Sequence, residues 1–331
     1  MKYFAEYGLF FAETLTLALA IVFTVIAIIA FSRKRHHDGQ LTIKCINKDY
    51  DQTAQALQEA ILPKDEWKKL KKTHKKQMKA HEKGEDKNKK RIYVLNFVGD
   101  MQAHAVNQLR EEVTALLLIA TPQDEVLIKI ESPGGVVNGY GLAASQLARI
   151  RERNIPLIAS IDKVAASGGY LMACVAPQIL AAPFAAVGSI GVVAQLPNFH
   201  RLLKKHEIDF EQITAGEYKR TLSLFGENTE KAREKVKDDV EETHTLFKNF
   251  VKEHRPQVDI GQVATGEYWL ATKALELKLV DVLMTSDDYL LKHYPEKEIY
   301  SITYSRKRSL IEKIQGGVES SLAKLRGDAW G

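Results

Sequence analysis

The chain is poor in cysteine. Its 331 residues hold two, Cys45 and Cys174. They lie in segments of different character and no C-x-x-C pair exists, which argues against a disulfide framework and a cysteine-based zinc site. No metal or cofactor is expected. Aromatic residues are scarce where a nucleic-acid binder would need them, Trp67 being the single one in the lysine run. Residues 64–91 carry thirteen Lys/Arg and five Asp/Glu, a local +8, whereas the whole chain is +5 and the remainder therefore −3. A lysine run with a single aromatic reads as a solvated spacer, or as a strip touching anionic lipid, and no nucleic acid is expected as a partner. Histidine is also missing from the places where a catalytic base would sit. His36, His37, His74 and His81 fall in the polar linker. His104, His200, His206, His244, His254 and His293 stand among charged neighbours; His200 is the best placed of them.

Long apolar runs are limited to two. Residues 9–31 are almost wholly apolar, with Glu13 the only charge. Twenty-three residues at about 1.5 Å each span about 34 Å, enough for a bilayer core of about 30 Å. The one Ala-x-Ala triplet, Ala18-Leu19-Ala20, lies inside the run, so a retained transmembrane helix is expected rather than a cleaved leader. Arg33, Lys34 and Arg35 follow the run and only Lys2 precedes it, which by the positive-inside rule puts the body in the cytoplasm. The second run, 171–196, has no charge but is broken by Pro177, Pro183, Gly188 and Gly191. Short apolar stretches between turn signals suit strands of a covered sheet better than a second span.

The expected organisation is a tail (1–8), the membrane helix (9–31), a basic polar linker (32–90), a catalytic body (91–300) and a basic helical tail (301–331). In the body, strand signals at 92–97, 126–130, 156–161, 179–182, 190–193 and 210–213 alternate with helical spacing at 106–120, 139–151 and 170–175. That alternation predicts a mostly parallel, layered α/β sheet. Residues 229–253 read as a long amphipathic helix with a stripe from Ala232 to Phe250, ended by Pro256.

Two glycine-flanked serines carry the chemical argument. Ala165-Ala166-Ser167-Gly168-Gly169-Tyr170 sits between a strand and a helix. It fits a nucleophile turn whose next N–H faces the attacked group, and it fits a tight packing turn equally well. Ser132-Pro133-Gly134-Gly135 follows another strand and can offer backbone N–H groups to an oxyanion or an edge to an extended peptide; a plain β-turn is the bland alternative. With no histidine in place, a lysine can act as base if burial lowers its pKa from about 10.4 to about 7–8. Lys219 follows the 210–213 signal, but between Glu217 and Arg220 it reads from the residues alone as a surface side chain.

The assembly of motifs resembles the bacterial signal peptide peptidase A family, in its short SohB-type form. The resemblance rests on the N-terminal apolar run, Ser-Pro-Gly-Gly at 132–135, Ala-Ala-Ser-Gly-Gly-Tyr at 165–170, Gly-Ser-Ile-Gly-Val at 188–192, Tyr218-Lys219 and the 266–281 segment. It covers about 91–289. It implies a ClpP/crotonase-like layered (spiral) sheet and a Ser/Lys-dyad serine protease acting on peptide or protein substrates. Ser167 would be the nucleophile, Lys219 the general base and Ser189 the residue orienting the lysine. The N–H groups of Gly134 and Gly168 would form the oxyanion hole. It also implies a single-pass protein of the bacterial inner membrane, a periplasmic body in opposition to the Arg33–Arg35 signal, and a homo-oligomer. Leu171 and Lys278 depart from the family's usual residues, away from the mapped site. The competing readings are a crotonase-like acyl-CoA enzyme and a membrane scaffold without turnover.

Overall fold

The structure is a computed structural model that describes residues 8, 10, 11, 13–21, 24, 39–72 and 90–305. Leu41–Tyr304 forms one compact unit, and the two ends of the chain are not part of it. A seven-stranded sheet runs through this unit. Its strands are β1 (Gln40–Cys45), β2 (Arg91–Val98), β3 (Glu125–Glu131), β4 (Leu157–Ile161), β6 (Gln178–Ala181), β9 (Val282–Leu283) and β10 (Glu298–Ser305), in spatial order β1-β10-β2-β3-β4-β6-β9. The β10–β2, β2–β3, β3–β4, β4–β6 and β6–β9 pairs are all parallel. A second, three-stranded sheet holds β5 (Val164–Ala166), β7 (Ala186–Gly188) and β8 (Tyr268–Leu270) in order β5-β7-β8.

The two-residue side-chain period of a strand explains why the main sheet is covered on both faces. Tyr93, Leu95 and Phe97 of β2, with Val126, Ile128 and Ile130 of β3, enter one apolar cluster. That cluster includes Val113 of α2 (Val106–Leu117), Leu147 of α3 (Val137–Glu152) and Met172 of α4 (Gly168–Ala173). The intervening Ile92, Val94 and Leu127 enter the other cluster with Leu290 of α9 (Ser286–His293), and Ile46 of α1 (Ile46–Ile61) packs on it. Further helices of this unit are α5 (His200–Lys205), α6 (Glu230–His254), α7 (Ile260–Val263) and α8 (Ala271–Glu276). The expected amphipathic helix is α6: Thr229 caps it by accepting from the Ala232 N–H, and Val251 is its one buried residue. Most of its stripe is therefore only half covered.

Several expectations need correction. Part of the stretch read as a linker is folded: β1 extends the sheet beyond β10, α1 packs behind it, and Trp67 is buried. Asn47 explains the attachment, because its side chain bonds the Lys297 carbonyl and the Ile299 N–H. The 190–193 and 210–213 strands do not form; β7 lies earlier, at Ala186–Gly188, and 209–214 has no regular structure. Ile213 is 96% exposed, so the apolar pattern there does not mark a buried strand. The last strand runs to Ser305, beyond the expected end of the body at 300. The uncharged run 171–196 is core in its first two thirds, where Met172, Ala173, Cys174, Val175, Ile179, Leu180 and Val187 are buried, but Phe184, Val193 and Leu196 are exposed.

The predicted anchor at 9–31 lies partly outside the described residues, and the tail from 306 lies wholly outside them. Among the described residues no helix is long and apolar enough to cross a membrane.

Candidate active site

Ser167 stands between β5 and α4, where strand gives way to helix without a linker. Its backbone has φ 51° and ψ −120°, a conformation that a residue with a β-carbon adopts only under constraint. The constraint is visible on both sides. Its N–H donates to the Gly188 carbonyl at 2.8 Å, and its carbonyl accepts from the Leu171 N–H at 2.9 Å. The side chain is half-buried, so its hydroxyl is placed at an accessible turn.

The Ser132-Pro133-Gly134-Gly135 loop is stitched to this turn. Ser132 N–H donates to the Val164 carbonyl at 2.9 Å, and Ala166 N–H donates to the Ser132 carbonyl at 3.0 Å, which joins the end of β3 to β5. Gly134 has φ +94° and comes so close to the serine turn that a β-carbon there would sit 2.7 Å from that of Ser167. Gly168 opens α4, and as the first helical residue its N–H has no acceptor within the helix. The structure thus brings together three of the five residues singled out from sequence: Ser167, Gly134 and Gly168.

Ser189 lies next door, one residue after the carbonyl that holds Ser167, at φ 53°. Its hydroxyl donates to the Gly266 carbonyl at 3.2 Å and its N–H to the Glu267 carbonyl at 2.7 Å. Lys219 is not brought to the serine in this single chain. It is exposed, lies in an irregular stretch between α5 and α6, and lines an open depression with Gln195, Leu196, Leu222 and Val236. Its ammonium group makes no hydrogen bond or ion pair among the described residues. His200 begins α5 and faces the Phe225 carbonyl at 3.3 Å. His104 is paired with the Asp100 carboxylate at 2.5 Å, and the hydrogen bond from His104 holds that carboxyl below its ordinary range. Among the described residues no histidine is hydrogen-bonded to Ser167, and no group of three or more His, Cys, Asp or Glu could hold a metal ion.

The sequence reading missed the floor of the site. Tyr140, buried in α3, places its hydroxyl 2.5 Å from the Ser132 hydroxyl and donates to the Asp100 carbonyl at 2.8 Å. Gly134 N–H in turn donates to the Ser132 hydroxyl at 3.1 Å. Burial pushes the Tyr140 phenol above its ordinary pKa, so it is a neutral donor. A signal was present: Tyr140 stands between Gly139 and Gly141, five residues beyond the glycine loop, a large aromatic where its neighbours are small.

Comparison with known proteins shows the family. The N-terminal model of peptidase family S49 matches residues 2–147, and the peptidase family S49 model matches 149–299. The "Probable protease SohB" of Haemophilus influenzae is 46% identical over 96% of this chain and 94% of its own length. The protein of the same name from Buchnera aphidicola subsp. Acyrthosiphon pisum is 54% identical over 72% of this chain and 70% of its own. The chain is a peptidase of family S49, of the SohB type. Among solved structures, a lysine-to-alanine mutant of the 1510-N membrane-bound stomatin-specific protease, in complex with a substrate peptide, is 15% identical. It covers 70% of this chain and 98% of its own, with a TM-score of 0.42.

Proposed function

We propose that this peptidase is a membrane-anchored serine endopeptidase working through Ser167 and Lys219. The observation that carries the reading is the constrained backbone of Ser167 with Gly134 and Gly168 packed against it. Such a turn holds a hydroxyl beside the first N–H of α4, while the Gly134 N–H rests on the Ser132 hydroxyl at 3.1 Å and turns from it to the oxyanion when substrate binds. Neutral Lys219 removes the Ser167 proton as the hydroxyl oxygen attacks a peptide carbonyl. The Gly134 and Gly168 N–H groups hold the oxyanion, the lysinium protonates the leaving amine, and water releases the acyl group from Ser167. Ser189 orients the lysine.

Lys219 must move or be covered for this to happen. It sits in a stretch that exposes Ile208, Phe210, Ile213 and Tyr218. Covering those side chains by a second copy of the chain would dry and order the stretch, which favours a homo-oligomer as the working form. The apolar run at 9–31 supports a single-pass inner-membrane protein, and substrates that are membrane-associated or signal-peptide-like. The side of the membrane is read out by protease accessibility of the body in spheroplasts.

The test is hydrolysis of an unstructured, apolar-rich peptide by the full-length protein and its Ser167→Ala and Lys219→Ala variants. Both variants are expected to fold and to lose turnover. Full activity in Lys219→Ala overturns the dyad, and full activity in Ser167→Ala overturns the nucleophile. A serine-directed covalent probe should label the native protein on Ser167; a scaffold or an acyl-CoA enzyme of the same fold would stay unlabelled.

A further inference from the structure

The two proposed oxyanion donors lie on different loops, and one side chain touches Gly168 directly and reaches Gly134 through Ser132. A β-carbon on Gly168 would run into the Tyr140 ring, so that ring is the surface on which the Gly168 backbone rests. The same residue's hydroxyl is 2.5 Å from the Ser132 hydroxyl, which accepts the Gly134 N–H at 3.1 Å. Because Tyr140 donates to the Asp100 carbonyl at 2.8 Å, the direction of the chain is set: Gly134 N–H to Ser132, Ser132 O–H to Tyr140, Tyr140 O–H to Asp100. The far end is fixed as well. Asp100 belongs to the turn after β2, and the Met101 carbonyl of that turn accepts the Val136 N–H at 2.9 Å on the other side of the glycine loop. Ser132 is fully buried and Tyr140 is fully buried, so water does not compete for these bonds.

We propose that Tyr140 is a positioning residue for catalysis, with its ring setting Gly168 and its hydroxyl, through Ser132, seating the glycine loop against the serine turn. Neither Tyr140 nor Ser132 meets the substrate. Their work is to fix the distance between the two loops that flank the Ser167 hydroxyl, to the sub-ångström tolerance that an oxyanion site demands. The inference rests on Ser167 being the nucleophile.

The experiment is steady-state peptide hydrolysis by the full chain and by Tyr140→Phe, Ser132→Ala and the double variant, with Ser167→Ala as control and thermal midpoints for all. Losing one oxyanion donor costs about 100-fold or more in kcat, and loosening a donor should cost less, about tenfold, with KM within about twofold. The double variant should be no slower than the slower single, because both changes cut one chain of bonds. An unchanged or raised kcat in Tyr140→Phe overturns the proposal, and so does a loss confined to KM. Should Tyr140→Phe fail to fold, Ser132→Ala carries the test alone on the same criteria. If Ser167→Ala keeps full turnover, the reading of the nucleophile fails and this inference falls with it. If Ser167→Ala is dead while Tyr140→Phe is fully active, the nucleophile stands and only the role of Tyr140 is lost.

Discussion

A β-carbon on Gly134 would stand 2.7 Å from the β-carbon of Ser167 and 2.8 Å from the Gly168 nitrogen. The glycine loop and the serine turn therefore meet at backbone contact, and no side chain fits between them. Gly134 also needs its φ of +94°, which L-residues rarely adopt. Gly134→Ala combines a clash with backbone strain, and is expected to lower stability by about 2 kcal/mol or more and turnover by about 100-fold. Thermal melting and peptide hydrolysis check both numbers. Native turnover in this variant would mean that the two loops separate without consequence for chemistry.

Ser167 stores strain that its hydroxyl justifies only if it is the nucleophile. A backbone at φ 51° and ψ −120° costs a residue with a β-carbon about 1–3 kcal/mol. Glycine would relieve this and lose about 0.5–1 kcal/mol to its own chain entropy. Ser167→Gly should thus be inactive like Ser167→Ala, yet melt a few degrees higher. Equal or lower melting of the glycine variant would remove strain from the account of this turn.

How much of this was legible in the residues depends on how local each signal was. The central strands β2, β3 and β4 and the helix α6 appear close to where periodicity placed them, because each carries its pattern within itself. α6 even shows its cap, Thr229, and its stop, Pro256. β1 does alternate, as Gln40-Leu41-Thr42-Ile43-Lys44-Cys45, but its six residues lie beside a long polar stretch, and as an edge strand it exposes Leu41 and Ile43, so the short signal did not stand apart. β5, β7 and β8 have three residues each, too few for any period to register. The site divides the same way. Ser167, Gly134 and Gly168 stood out by their small neighbours. Lys219 was singled out by resemblance alone, and its exposed position in this single chain agrees with what its charged neighbours suggest. Tyr140 acts across eight residues to Ser132 and forty to Asp100, a relationship that only the folded chain displays.

The Arg255–Asp281 pair holds the far end of the domain. Arg255 is 1% exposed, and its two terminal nitrogens each lie 2.8 Å from an Asp281 oxygen, a fork-to-fork match. The guanidinium also donates to the Lys278 carbonyl at 2.9 Å, while Asp281 accepts the Ile179 N–H at the start of β6. Asp281→Ala leaves a buried cation unpaired and should cost about 3–5 kcal/mol in denaturant unfolding. A loss under about 1 kcal/mol would show that water reaches Arg255 and that the burial does not hold in solution.

Glu112 makes stability depend on pH in a direction opposite to that of most carboxyls. It is 3% exposed in α2, where one oxygen accepts the Tyr304 N–H at 2.8 Å and the other is buried without a partner. Burial pushes its pKa from 4.5 up to about 7. The folded state then holds more protons than the unfolded one between about pH 4.5 and 7. By linkage, the stability this group contributes is full below about pH 4.5 and is lost as pH rises through about 7, by about 3 kcal/mol in all. Glu112→Gln keeps an acceptor for Tyr304 and cannot ionise. The glutamine variant should match the native protein near pH 4.5 and exceed it by about 2–3 kcal/mol at pH 8, measured by denaturant unfolding at both values. Parallel stability curves for the two proteins would show that Glu112 titrates as an ordinary carboxyl in contact with water.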